Sequence, residues 1–260
     1  MYGIETSLVL TLTTLTHPTP IARNISVFIP QSIRQNTIPR AGDNIDGKNN
    51  HLFYDKNLIA NSTHSRYTCS TSNTSNTSTI PMCVVNILLM MDGEYGVVSA
   101  FVNRGGFDLA VSTGVAPESI MIGVPSTPDL LSAVDPSDRT YEMTFNICDP
   151  SLMDCDPATS GYTVDNTGGT DLLLSFITEN VIPLVLDVIG MEAGGEISIS
   201  GASLGGLTAV YAVATRPLTF ARAFSLEGDM PYNFGQIADY ITGNYSLHGN
   251  RAKAAVMMMV

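Results

Sequence analysis

The segment EISISGASLGGLTAVYA, residues 196–212, joins two patterns at a glycine-rich corner. Alternating apolar residues in EISIS (196–200) predict a buried strand, and LTAVYAVAT (207–215) predicts a helix. Between them lies Gly201-Ala202-Ser203-Leu204-Gly205, a GxSxG sequence. A serine at a sharp strand-to-helix turn presents its hydroxyl above the sheet, ready for nucleophilic attack. The alternative is a tight turn that merely contains a serine, and the flanking strand and helix favour the nucleophile.

The rest of the chain predicts further strands and helices in alternation. Residues 6–16 and 24–30 predict a leading β-hairpin. Continuous apolar runs predict buried strands, and DLLLSFITENVIPLVLDV (171–188) predicts a helix; the runs are 82–91, 119–125, 220–226 and 252–260. Strands alternating with helices imply a mostly parallel sheet whose chemistry lies at the carboxyl ends of its strands.

We expect residues 1–260 to form a single α/β domain, since this length is ordinary for one such domain. Residues 31–80 are polar and irregular and predict a mobile surface insertion. The net charge of −12 disfavours nucleic acid and anionic membranes as partners. No apolar run approaches the roughly 20 residues that a membrane span needs.

The cysteines bear on metal binding and on the cellular compartment, and the amino terminus bears on the compartment. Cys69, Cys83, Cys148 and Cys155 include no CxxC pair, so we expect no zinc site, and nothing in the composition calls for another metal or a cofactor. Cys148 and Cys155 could close a small disulfide loop, with free thiols as the alternative. Glycosylation sequons and the absence of a basic leader leave cytoplasmic and secreted locations both open.

Six segments appear in an order that matches a known family: ARNISVFIP, VNILLMMDGE, ESIMIGVP, DRTYEMTF, GGTDLLLSFITENVIPLV and SISGASLGGLTAVYAVATRP. Together they resemble the enterochelin-esterase-like, "Putative esterase" branch of the α/β-hydrolases, which is related to feruloyl esterases and mycolyltransferases. The resemblance implies an α/β-hydrolase three-layer sandwich with a mostly parallel sheet and an N-terminal hairpin. It also implies a serine esterase that acts on a small-molecule ester through an acyl-serine intermediate.

The resemblance assigns roles to individual positions. Ser203 would be the nucleophile, and the backbone N–H groups of Leu204 and Glu94 would hold the oxyanion. Asp92 lies in the matched segment VNILLMMDGE. The alternative to a role in the site is that Asp92 is simply a turn residue at the end of a strand. Arg139 and Glu142 match a family motif, and a surface salt bridge explains them equally well.

The remaining members of a catalytic triad are harder to find in this sequence. A hydrolase of this fold orders its triad as Ser, then Asp or Glu, then His. Glu227 and Asp229 are candidate acids, with turn residues as the alternative. His248 is the one histidine after Ser203, and we expect it at the amino end of the last strand, away from the serine. His17, His51 and His64 precede the core sheet.

The expected strand at 252–260 is followed by neither an acid nor a histidine. This predicts a C-terminally truncated hydrolase that lacks its last strand and helix and is inactive by itself, because a serine without a base is a weak nucleophile. An acyltransferase of the same fold and a non-catalytic binding domain on a hydrolase scaffold are the alternative functions.

Overall fold

The computed structural model describes residues 6–14, 21–30, 53–54, 84–93, 106–117, 119–125, 136–151, 155, 158, 160–189, 191–247 and 255–259. Its centre is one sheet of eight strands in the order β3-β1-β2-β5-β4-β6-β7-β8. The strands are β1 (Thr6–Thr14), β2 (Ile21–Ile29), β3 (Phe53–Tyr54), β4 (Val84–Met91), β5 (Ser119–Val124), β6 (Glu192–Ala202), β7 (Arg222–Leu226) and β8 (Ala255–Met259).

The sheet is mixed at one side and parallel at the other. β1 and β2 form an antiparallel hairpin in which Thr6 lies opposite Ile29, and β2 pairs antiparallel with β5. From β5 through β4, β6 and β7 to β8, every pairing is parallel. The predicted hairpin and the predicted parallel sheet are confirmed.

The helices are α1 (Gly106–Ser112), α2 (Pro136–Met143), α3 (Thr170–Phe176), α4 (Ile182–Ile189), α5 (Leu204–Thr215), α6 (Tyr232–Gly235) and α7 (Ile237–Leu247). A π-helical segment, Ile177–Val181, joins α3 to α4, so the helix predicted over 171–188 is continuous with one wider turn. The sequence patterns did not predict α1, α2, α6 and α7.

Hydrophobic clusters cover both faces of the sheet. On one face Val85, Ile87, Leu89 and Met91 of β4 pack with residues of α3, α4 and α5. On the other face Leu88 and Met90 pack with Phe107 and Val111 of α1. From Ile87 to Met91, β4 thus packs apolar side chains on both of its faces, which explains the apolar run there. The result is the three-layer α/β sandwich that the sequence predicts.

One helical stretch, Val164–Ile189, is apolar and long enough to cross a membrane when judged by length and composition alone. Leu173, Leu174, Ile177 and Val185 of this stretch are fully buried in the core cluster. These contacts with the sheet are those of a core helix.

A buried ion pair joins β2 to α2. Arg23 donates a hydrogen bond to a carboxylate oxygen of Glu142, and both side chains are 0% exposed. A second guanidinium nitrogen of Arg23 donates to the carbonyl oxygen of Pro125. The interpretation of Glu142 as part of a surface salt bridge is therefore wrong, because both side chains of its ion pair are buried.

Within the predicted insertion at 31–80, the structure describes Phe53–Tyr54 alone, and the prediction of mobility lies outside the described residues. Val9 and Leu10 of β1 pair with these two residues.

Candidate active site

Ser203 lies between β6 and α5, at the carboxyl end of the central part of the sheet. Its backbone angles are φ 53° and ψ −124°, and its side chain is exposed. A positive φ is uncommon for a residue with a Cβ, and it persists only where the surrounding structure enforces it. The predicted strand–turn–helix context of the serine is therefore present, with the strained backbone that a nucleophile turn requires.

Backbone hydrogen bonds hold this turn in place. The N–H of Ser203 donates to the carbonyl oxygen of Leu226 at 3.1 Å, which ties the turn to the end of β7. The carbonyl oxygen of Ser203 accepts from the N–H groups of Leu207 and Asp229, each at 3.1 Å. The serine is thus fixed between its own helix and the chain that follows β7.

Glycines allow the close contacts around the serine. A Cβ on Gly201 would lie 2.4 Å from the backbone carbon of Gly205, so strand and helix touch backbone to backbone. A Cβ on Gly206 would lie 2.6 Å from the Oγ of Ser225 on β7. Since no side chain fits at these positions, the glycines of the GASLGG sequence are explained by packing.

Leu204 is the first residue of α5, and its side chain is buried. The first N–H groups of a helix have no partner within the helix, and together they give the helix start a positive potential. The N–H of Leu204, predicted as an oxyanion donor, therefore lies directly beside Ser203 in the kind of position where an anion is stabilised.

Asp92 forms a second strained turn, at the end of the neighbouring strand β4. Its φ is 53°, and the next residue, Gly93, donates its N–H to the carbonyl oxygen of Val124 at 3.1 Å. Arg139 of α2 donates to both carboxylate oxygens of Asp92, from Nε at 2.8 Å and from Nη2 at 2.7 Å. Asp92 is thus a turn residue, as one of the two interpretations has it, and also the partner of Arg139.

The two candidate acids follow β7 and differ in their surroundings. Glu227 has φ 45° and an exposed side chain. Asp229 is half-buried and accepts a hydrogen bond from the hydroxyl of Tyr162. Because the N–H of Asp229 donates to the carbonyl oxygen of Ser203, the structure brings Asp229 next to the serine backbone.

Tyr162, which donates to Asp229, is a residue of the candidate site that the sequence patterns did not indicate. Burial, together with the hydrogen bond to Asp229 and the charge of that carboxylate, raises the pKa of Tyr162 well above its usual range. Its ring lies edge-on to Tyr232 at 5.0 Å between centroids. Nothing in the local sequence of Tyr162 indicates this contact, since Asp229 is 67 positions away.

The predicted oxyanion donor Glu94 lies outside the described part of the chain, as do the four histidines His17, His51, His64 and His248. The described residues accordingly contain no histidine. They also contain no group of three or more His, Cys, Asp or Glu side chains suited to a metal ion.

Cys148 and Cys155, whose pairing the sequence leaves open, are joined by a disulfide bond. The N–H of Cys148 donates to Oγ1 of Thr167 at 2.9 Å, so the disulfide loop is attached to the segment that follows Tyr162.

Comparison with known proteins gives a family match over part of the chain and a fold. Residues 150–230, which include Ser203, Glu227 and Asp229, match the family described as "Putative esterase". None of the curated proteins matches this sequence.

Solved structures resemble the chain over nearly its whole length. Siderophore hydrolase EstB from Aspergillus nidulans is 16% identical, with a TM-score of 0.60 over 99% of this chain and 70% of its own. The BES protein from Bacillus cereus is 16% identical, with a TM-score of 0.62 over 99% of this chain and 77% of its own. An IroE-like serine hydrolase from Shewanella oneidensis is 16% identical, with a TM-score of 0.60 over 98% of this chain and 60% of its own.

At these identities the structural likeness establishes the fold, and the family match covers the segment with the strained serine. The chain therefore has the α/β-hydrolase fold of these structures, and its residues 150–230 resemble the "Putative esterase" family.

Proposed function

We propose that this protein hydrolyses small carboxylic esters through an acyl-enzyme intermediate on Ser203. The observation that carries the proposal is the backbone of Ser203, with φ 53° and ψ −124°, between a core strand and the first turn of α5. Such a turn exposes the hydroxyl and places the start of a helix beside it, which suits attack on a carbonyl carbon.

The reaction has two halves. In the first, the Oγ of Ser203 bonds to the ester carbonyl carbon as a general base takes its proton, and the carbonyl oxygen becomes an oxyanion. Collapse of this intermediate breaks the ester C–O bond and releases the alcohol, which receives the proton. In the second, water attacks the acyl-serine, releases the carboxylic acid and restores the hydroxyl.

The residues around Ser203 suit particular parts of this cycle. The N–H of Leu204 would donate to the oxyanion at the start of α5, and the N–H of Glu94 would be the second donor. Asp229 is our preferred acid, because its backbone bonds to that of Ser203 and Tyr162 holds one oxygen of its carboxylate. Glu227 is the second candidate, at the end of the same strand.

The test is covalent labelling with a fluorophosphonate, a reagent whose phosphorus atom bonds to an activated serine with loss of fluoride. In the full-length protein we expect one label per molecule, located at Ser203 by peptide mass spectrometry, and hydrolysis of p-nitrophenyl acetate. Ser203→Ala should abolish both. Ser151→Ala removes a serine hydroxyl from an exposed loop and is the matched control, expected to label and hydrolyse like the native chain. Labelling that persists unchanged in Ser203→Ala would refute the proposal.

A further inference from the structure

We propose that Asp92 and Arg139 are positioning residues that hold the end of β4 against the nucleophile turn and keep the oxyanion site free of uncompensated negative charge. The inference rests on the proposed function of Ser203. Neither residue would touch the substrate: both would act through the backbone and the electrostatic potential beside Ser203.

The first argument is the conformation of Asp92. A non-glycine residue at φ 53° needs compensation from its surroundings, and here two hydrogen bonds from Arg139 hold the carboxylate in one orientation. A bidentate arginine–carboxylate pair fixes the relative geometry of its partners better than a single contact does. Gly93 follows in a space where a Cβ would lie 2.4 Å from the Cα of Gly123. The turn is therefore fixed on both sides before the chain continues to residue 94, the predicted second oxyanion donor.

The second argument is the contact between Asp92 and the nucleophile helix. A Cβ on Gly205 would lie 2.8 Å from Oδ2 of Asp92 and 3.2 Å from Cβ of Met91. The carboxylate thus rests against the first turn of α5, beside the residue that follows Leu204. One side chain links the end of β4, helix α2 and the start of α5.

The third argument is electrostatic. An oxyanion develops beside Ser203 during acyl transfer, and a bare carboxylate at the same helix start would repel it. The side chains of Arg139 and Asp92 are only 29% and 22% exposed, so water screens this charge incompletely. Arg139 neutralises the carboxylate, and the pair supplies shape without net charge.

The fourth argument is that α2 is firmly anchored. Glu142, three residues after Arg139, is paired with Arg23 in the core. The carbonyl oxygen of Met143 accepts a hydrogen bond from Oγ1 of Thr208 on α5 at 3.1 Å, and that of Glu142 accepts from Oγ1 of Thr170 at 3.0 Å. Arg139 therefore reaches Asp92 from a helix whose own position is set by core contacts.

The experiment is a double-mutant cycle with the native chain, Arg139→Gln, Asp92→Asn and the double variant. For each protein we would measure the rate constant for fluorophosphonate labelling of Ser203, kcat and KM for a neutral ester, and the thermal midpoint. Arg139→Lys is added as the conservative variant, which keeps the charge but loses the bidentate geometry. Arg222→Gln removes an exposed ion pair with Glu196 and is the matched control, expected to behave like the native chain.

Loss of one oxyanion donor lowers kcat by about 10²–10³-fold in other enzymes. We expect Arg139→Gln to slow labelling by about 10²-fold, because it would displace a donor and leave the carboxylate of Asp92 without a partner. Asp92→Asn should slow it by only about tenfold, since the charge left behind is the guanidinium of Arg139, which attracts an oxyanion instead of repelling it. The double variant should label faster than Arg139→Gln, because the repelling carboxylate is gone. Arg139→Lys should fall between the native chain and Arg139→Gln. KM should change little. If the pair had a purely structural role, the variants would instead have a lower thermal midpoint and a smaller folded fraction, and their labelling rates would not follow the order given above.

Two results would overturn the inference alone: native labelling rates in both single variants, or a double variant that is slower than Arg139→Gln. A native full-length protein that leaves Ser203 unlabelled would instead overturn the proposed function, and this inference with it.

Discussion

At the scale of single residues, the candidate site is built from three strained turns at the ends of adjacent strands. Asp92 after β4, Ser203 after β6 and Glu227 after β7 all have positive φ, at 53°, 53° and 45°. The pattern GxSxG predicts this strain for the serine, because a nucleophile turn requires it. No comparable pattern surrounds Asp92 or Glu227, so their conformations could not be predicted from sequence.

The glycines of the nucleophile turn provide a prediction at this scale. In Gly201→Ala the added methyl group would meet the backbone of Gly205, which cannot move aside as a flexible side chain could. We expect a loss of about 3 kcal/mol or more in the free energy of unfolding, at the upper end of what overpacking costs. Chemical denaturation followed by circular dichroism measures this value.

The matched control for that change is Gly243→Ala in α7, where an added Cβ has no atom within 4 Å. Here alanine should stabilise the helix by about 0.5–1 kcal/mol, because it restricts the unfolded chain. Equal unfolding free energies for the two variants would contradict the proposed backbone contact between β6 and α5.

At the scale of secondary-structure elements, prediction succeeds where an element buries a simple apolar pattern. β4, β5 and β6 are confirmed, as are the hairpin and the long helix over α3 and α4. α7 was missed because its buried face, where the structure describes it, is formed by Ile237, Tyr240 and Ile241, and the rest of the helix contains Gly243 and several weak helix formers. α2 is short and polar, and its position depends on pairs such as Arg139–Asp92 that join residues 47 positions apart. Local pattern carries no information on such partners.

The disulfide loop gives the prediction at this scale. Closing a loop between residues seven positions apart stabilises a protein by about 2–3 kcal/mol through restriction of the unfolded chain. We expect Cys148→Ala/Cys155→Ala to lose about this amount in denaturant titrations, and the native chain to lose a similar amount after reduction.

Ser151→Ala changes a side chain in the same loop, keeps both cysteines and should unfold like the native chain. If the double alanine variant also unfolded like the native chain, the loop would contribute nothing to stability. In the structure the loop is bonded to Thr167, whose hydroxyl donates to the carbonyl oxygen of Thr163 at 2.7 Å. Loss of the disulfide should therefore also weaken the Tyr162–Asp229 contact next to it.

At the scale of the whole molecule, the fold class was predictable because strand patterns alternate with helix patterns along the chain. The continuous apolar runs also indicated buried, parallel strands. The site was predictable only in part: the GxSxG pattern indicated Ser203 and its helix, and Asp229 was a candidate acid by its place after a strand. The hydrogen bond from Tyr162 to Asp229 and the ion pair of Arg139 with Asp92 depend on contacts between distant segments. The same holds for the aromatic cluster of Phe145, Tyr211, Tyr232 and Tyr240, whose ring centroids lie between 5.1 and 5.6 Å apart.

This packing predicts how the protein responds to alkaline pH. Burial is the largest cause that raises the pKa of Tyr162, Tyr211 and Tyr232 above the usual value of 10.0, and the carboxylates of Asp229 and Asp171 raise those of Tyr162 and Tyr211 further. A raised pKa means that the folded chain keeps its proton where the unfolded chain loses it. The stability from these tyrosines is complete below about pH 10 and is lost as the pH rises through their pKa values in the folded protein.

Absorbance of tyrosinate at 295 nm, recorded with circular dichroism during an alkaline titration, measures this effect. We expect at least three of the ten tyrosines to ionise late, together with loss of folded structure. Tyr211→Phe should reduce the late step by one tyrosine and leave the early step unchanged, because the variant removes a buried hydroxyl and keeps the ring that stacks on Phe145. If all ten tyrosines ionised together near pH 10 while the circular dichroism stayed native, the three hydroxyls would have to be freely hydrated. The aromatic cluster could then not pack as it does between α5, α7 and the segment that carries Phe145.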